Sequence, residues 1–245
     1  GKVFVHEANP RASRTVPLVS KVCNVRMVPI ATEIITRELT GKESPVPTLE
    51  EKVIPYYGVK EAAFPFNMFP EVDPLLGPEM RSTGEVLGLS ESYGEAFYKA
   101  QEAVQSKLPL SGTVLISVNR KDKAEVVEVA KLFHENNFRI IATEGTCQLI
   151  NEAGIPAEKV KKLCEGRPNV LDEITNGKVD IIVNSPVGKD SVYDDSYLRK
   201  AAIKGRIPYC TTMAAAMAAA TGIHAVNNHD GGKIASLQEL HGRIK

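Results

Sequence analysis

The stretch "TVLISVNRKDKAEVVEVAKLFHENNFRIIATEGT", Thr113 to Thr146, sets the fold class of this 245-residue chain. Its opening "TVLISV" is a short, mostly apolar run bounded by polar residues, the pattern of a strand buried on both faces. "KAEVVEVAKLFHENN" then puts valine, alanine, leucine and phenylalanine at helical spacing, with lysine and glutamate between them. "FRIIAT" is a second apolar strand. A strand, an amphipathic helix and a strand of this length make the crossover that joins parallel neighbours. Downstream the alternation continues: "GTCQLINEAG" predicts a helix ending at a glycine, "VDIIVN" a buried strand, and "DSYLRKAAIKG" a helix. "IPYCTT" predicts a short strand, and "MAAAMAAATG" an alanine-rich helix that Gly222 is expected to close. Residues 111–245 are therefore expected to form an α/β domain with a Rossmann-like parallel sheet and helices on both faces.

In such a sheet, ligands bind beyond the carboxyl ends of the strands. Those ends carry Ser117, Thr143-Glu144-Gly145-Thr146, Asn184-Ser185 and Tyr209-Cys210-Thr211-Thr212. "ATEGT" runs from strand into helix, where free backbone N–H groups and the helix dipole favour an anion. Thr143 and Thr146 add hydroxyl donors, and Gly145 lets the backbone come close. Lys123 near a helix start and Lys162 within "KVKKLCEGRPN" would supply positive charge. Capping threonines alone are common. Polar residues at several strand ends on one sheet edge are what make a phosphate site.

Toward the amino end the composition changes. Residues 42–110 hold most of the prolines; "VIPYYGVKEAAFPFNMF" alternates as short strands do, and "SYGEAFYKAQEAVQSKL" has helical spacing. Pro109 to Gly112 reads as a linker. Residues 1–41 begin with a strand-like segment (Val3, Val5), pass through a polar motif and continue as a helix from Ile30 to Leu39, stopped by Gly41. The chain opens on glycine inside a strand-like segment, which suggests a piece of something longer.

The totals bound the function. A formal net charge of zero excludes nucleic-acid binding driven by overall charge. No run is apolar and long enough to span a membrane, and no signal pattern opens the chain. The four scattered cysteines contain no CxxC pair, as expected of a reduced, cytoplasmic chain.

The polar motif lies in "VFVHEANPRASRT", Val3 to Thr15. Glu7 and Asn9, two apart at the end of a strand, face the same way. A carboxylate and an amide carbonyl suit a hard divalent cation such as Mg²⁺. Arg11 and Arg14 are spaced to reach phosphate oxygens, which guanidinium groups match in bidentate fashion. Metal with arginines is the electrostatic solution for phosphoryl transfer. Taken singly, the same residues would be a charged surface turn.

The full string "HEANPRASRTVPLVSK" resembles the metal-binding strand of the ATP-grasp fold in the large subunit of carbamoyl phosphate synthetases. "PYYGVKEAAFPFNMFPEVDPLLGPEMRSTGEVLG" is similar to the stretch that follows it, and residues 111–245 resemble that subunit's final, methylglyoxal-synthase-like allosteric domain. The resemblance runs over essentially the whole chain in the same order. It implies ATP-dependent synthesis of carbamoyl phosphate from bicarbonate and glutamine-derived ammonia, for pyrimidine and arginine biosynthesis. By resemblance, Glu7 and Asn9 hold Mg or Mn with ATP at the second, carbamate-phosphorylating site, and Arg11 and Arg14 hold its phosphate. Lys123, Thr143, Gly145, Thr146, Lys162, Asn184 and, across a one-residue length difference, Asp195 match a pocket for UMP and IMP. Glu61, Tyr209 and Thr211 match contacts of the activator ornithine. "EGRPN" points to the bacterial, nucleotide-sensing type. "SPVGKDSVYDD" after Asn184 departs from the pattern, because Pro186 cannot donate a backbone N–H. The implied partners are the upstream remainder of the large subunit, the glutaminase small subunit and further copies of the chain. The glycine-rich phosphate loop, the adenine pocket and the first ATP-grasp half are missing, so these residues alone are not expected to catalyse the synthesis.

Two alternatives share the fold or the surface. A methylglyoxal-synthase-like phosphate-lyase would need a Gly-Gly-Asp segment where this chain has "EGRPNVLDEI". An oligomerisation module would use the apolar "AAFPFNMF".

Overall fold

The computed structural model describes residues 3–5, 8, 11–43, 51–69, 74, 76–77, 79–185, 192–228 and 234–245. Val3 and Val5, expected in a strand, are exposed and lie in none; a strand is held by its ladder, and no described residue pairs with them. Helix α1 (Thr15–Cys23), not expected, is followed by Asn24 in the left-handed conformation (φ 50°) and then by α2 (Met27–Leu39). α2 starts three residues before the expected Ile30, because Pro29 falls in the first turn, where no N–H is needed. Gly41, with φ 65°, follows the end of α2 as expected.

β1 (Tyr57–Ala63) and the unforeseen β2 (Gly84–Ser90) form a two-stranded sheet. α3 (Tyr93–Ala103) is capped by the Ser92 side chain, which accepts from Glu95 N–H. β2 lies directly on α3: a Cβ at Gly88 would come 2.0 Å from the Ala96 carbonyl oxygen.

The alternation then follows as expected: β3 (Gly112–Ser117), α4 (Lys123–Glu135), β4 (Phe138–Thr143) and α5 (Glu144–Glu152). β5 (Ala157–Val160) and α6 (Val170–Thr175) were not expected; β6 (Ile181–Asn184), α7 (Val192–Gly205), β7 (Tyr209–Cys210) and α8 (Met213–Asn228) were. The five strands are parallel in the order β5-β4-β3-β6-β7. Side chains alternate between faces. Val114, Ile116, Ile140 and Val183 pack with Val126, Val129 and Phe133 of α4, Ile150 of α5 and Ile223 of α8. Leu115, Ile141 and Ile182 pack with Val170 and Ile174 of α6 and Leu198 and Ala202 of α7. Helices thus cover both faces of an α/β sheet.

Gly222 does not end the last helix. It sits within α8, where a Cβ would lie 3.1 Å from the Gly94 carbonyl oxygen, and a Cβ on Gly94 would lie 2.7 Å from Thr221 O. Both glycines let α3 and α8 approach closely.

By packing, Gly58–Lys233 form one unit, and Gly1–Tyr57 with Ile234–Lys245 form another. These units cut the chain at other places than the composition segments 1–41, 42–110 and 111–245. The second unit includes α9 (Leu237–His241), whose Ser236 side chain accepts from Glu239 N–H.

Candidate functional site

Parallel register levels the carboxyl ends of the strands. Ser117 pairs with Asn184, Ile116 with Ala142, and Thr143 with Val160. Thr143, Thr146, Asn184 and Ser185 are buried there, and buried polar groups need partners. Thr143 is the N-cap residue of α5 but makes no side-chain bond to that helix. Its hydroxyl donates instead to Ser117 Oγ at 3.3 Å. The first-turn N–H groups of α5 are thereby left without a Thr143 cap, the arrangement that receives an anion.

Positive charge reaches the same turn. Lys123, the first residue of α4, donates from Nζ to Gly145 O at 3.0 Å. A Cβ at Gly145 would stand 2.9 Å from that Nζ, so the glycine is what admits the ammonium. Glu144, in the first turn of α5, would oppose an anion by its charge. It is ion-paired with Lys159 of β5, and the hydrogen bond from that ammonium holds its carboxyl below the usual range. Lys162 is exposed two residues beyond Val160, and its N–H donates to the Glu165 carboxylate at 2.9 Å. Asn184 donates from Nδ2 to the Tyr209 hydroxyl at 2.6 Å.

A network that sequence reasoning did not single out ties β3 to β6. Asn119 N–H donates to Ser185 Oγ at 3.0 Å, and Asn119 Nδ2 donates to Asp122 Oδ2 at 2.7 Å. Asn119 Oδ1 accepts from Lys121 N–H at 2.7 Å, and Ser185 N–H donates to Ser117 O at 3.0 Å. The signal was present in "NRKD", an asparagine able to bond its own following backbone just before a helix. This turn sets where α4 begins, and so where Lys123 stands. The "EGRPN" loop ends at Asn169, which caps α6. Asp172 in that helix is held below the usual carboxylate range by Arg167 and then by Asn169 N–H.

The remaining expected residues stand on other elements. Glu61, on β1, accepts from Gln101 Nε2 at 3.0 Å, and burial raises its carboxyl above the usual range. Thr211 is exposed just past β7, and Asp195 lies in α7 with its side chain outside the described residues. Glu7 and Asn9 also lie outside them. Arg11 is exposed and Arg14 half-buried immediately before α1. Among the described residues, no group of three or more histidine, cysteine, aspartate or glutamate side chains could hold a metal. No described helix is long and apolar enough to cross a membrane. A recess of about 340 Å³ opens at the other edge of the sheet, lined by Phe138 and Ala157 at the starts of β4 and β5.

Residues 125–211 match the MGS-like domain family. The carbamoyl phosphate synthase large chain of Gemmatimonas aurantiaca is 46% identical over 98% of this chain and 22% of its own length. The "Carbamoyl phosphate synthase large chain, C-terminal section" of Methanocaldococcus jannaschii is 46% identical over 100% of this chain and 41% of its own length. The chain belongs with the carboxyl-terminal part of carbamoyl phosphate synthase large chains. The large chain of Methanosarcina barkeri is 40% identical over 98% of this chain and 60% of its own length. The chain therefore spans between about a fifth and three fifths of these carbamoyl phosphate synthase relatives. The MGS-like match covers α4 to β7, the part of the sheet whose strand ends and helix starts carry Thr143, Gly145, Thr146, Lys162 and Asn184.

Proposed function

We propose that the sheet edge around Thr143–Thr146 is the nucleotide effector site of a carbamoyl phosphate synthase, and that it takes the phosphate of UMP or IMP. The observation that carries this reading is the turn at Gly145. A helix start whose N-cap threonine bonds elsewhere is joined on the same turn by the Lys123 ammonium. Lys162 and Asn184 stand on the same edge, where a ribose or base would follow the phosphate. Glu61, Tyr209 and Thr211 are proposed for ornithine.

The reaction served is ATP-dependent synthesis of carbamoyl phosphate from bicarbonate and glutamine-derived ammonia in the cytoplasm, with a glutaminase small subunit as partner. Magnesium or manganese with ATP belongs to that whole-protein reaction. Of the residues assigned to it, Arg11 and Arg14 are described, and both carry the charge that phosphate oxygens require. The chain alone is proposed to bind effector without making carbamoyl phosphate.

Isothermal titration of UMP and IMP into the chain tests the reading. Saturable binding is expected, weakened about tenfold or more by Lys123→Ala or Lys162→Ala, since each removes a charge-assisted contact. Absence of both heat and thermal shift with either nucleotide would overturn it.

A further inference from the structure

Helix α1 has nine residues and buries none of them completely. A helix so short is marginal on its own, so its position depends on what holds its ends. The carboxyl end is held unusually well. The Asn24 and Val25 N–H groups close on Ser20 O. Beyond these local bonds, three carbonyls receive donors from distant parts of the chain. Lys21 O is met by His241 Nε2 at 2.6 Å, Val22 O by the Tyr56 hydroxyl at 2.7 Å, and Asn24 O by Lys52 Nζ at 3.1 Å. The last carbonyls of a helix need such partners, and a lysine there also meets the negative end of the dipole.

His241 comes from the far end of the sequence. Its segment is ordered by a capping box between Ser236 and Glu239, by the burial of Leu240, and by reciprocal bonds between Val53 and Lys245 at 3.0 and 3.5 Å. We infer that Ile234–Lys245 is a strap that fastens α1 at its carboxyl end, with His241 as a positioning residue. α1 begins directly after Arg14, and Thr15 N–H donates to Ser13 Oγ at 3.2 Å. The strap therefore fixes the helix on which the arginine turn is mounted. Because the chain leaves the second unit after Tyr57 and returns to it at Ile234, the segment following the parallel-sheet unit completes the unit that carries the arginines. This holds whether or not the sheet edge binds a nucleotide.

Amide hydrogen exchange by mass spectrometry on the 245-residue chain tests the strap. His241→Ala should speed exchange in residues 15–23 about fivefold, the loss expected for one hydrogen bond, and leave β3, β4 and β6 unchanged. His241→Gln, which keeps an Nε2–H donor, should restore most of the protection. A chain ended after Lys233 should lose more protection in 15–23 than His241→Ala does. If the truncated chain loses protection in the sheet as well, the His241 pair decides. Unaltered exchange in 15–23 with His241→Ala, or equal exchange in the Ala and Gln variants, would overturn the proposal.

Discussion

Helices α2 and α4 each have 13 residues and a clear apolar face. α4 brings Val126, Val129, Ala130 and Phe133 to 0% exposure against the parallel sheet. α2 leaves Val28, Ile35 and Leu39 at 60%, 56% and 82%. The pattern that writes an amphipathic helix marks a face to be covered and says nothing of what covers it. In the parallel-sheet unit the cover is the same stretch of chain, one crossover away. In the unit of α1, α2 and α9, order comes from hydrogen-bonded helix ends.

Changes of similar chemistry in the two units should therefore have unequal effects. Phe133→Ala should be the most damaging, at about 3–5 kcal/mol in urea denaturation, because a buried ring stacked edge-on against Phe138 leaves a cavity. A loss below 1 kcal/mol would mean that the sheet unit is not a tightly packed core. Gly94→Ala should cost about 1–3 kcal/mol, since the new methyl meets the Thr221 carbonyl and forces α3 from α8.

The capping boxes of α9 (Ser236 with Glu239) and α6 (Asn169 with Asp172) extend the contrast to pH. In α9, Ser236 N–H and then the Ser236 hydroxyl hold the Glu239 carboxyl below its ordinary 4.5. Its contribution to stability is therefore present above pH 4.5 and lost as pH falls through the lower folded value. The difference in thermal midpoint between the parent chain and Glu239→Gln should narrow on acidification below 4.5. Asp172→Asn in α6, whose ordinary value is 3.8, should show the same narrowing at lower pH. A difference independent of pH would remove the carboxylate from either cap. Leu39→Ala should be the mildest change, within about 0.5 kcal/mol, because the side chain is already in water. A larger loss would show that α2 is covered in solution.

Much of the parallel-sheet unit was legible because its strands are buried runs and its helices are long and periodic. The short elements escaped. β5, with "AEKV", has only Ala157 and Val160 turned inward, and α6 is six residues defined mainly by its cap. Gly222 was misread because a helix-closing glycine and a helix-crossing glycine are the same residue in sequence. Only the close approach of α3, which would leave a Cβ on Gly222 3.1 Å from the Gly94 carbonyl oxygen, separates them. In the candidate site, Thr143, Gly145 and Thr146 could be read from one turn. That Thr143 bonds Ser117, leaving its helix uncapped, could not, since both partners are small hydroxyls 26 positions apart.

The strand–helix alternation, the polar strand ends and the charged residues near them can be read directly from the order of amino acids, because periodicity and turn chemistry are local. Tertiary structure alone decided the strand order, the closeness of Lys123 to Gly145, and the return of His241 to the end of α1. Each of those joins residues far apart in the chain, and only packing selects which distant donor meets which acceptor.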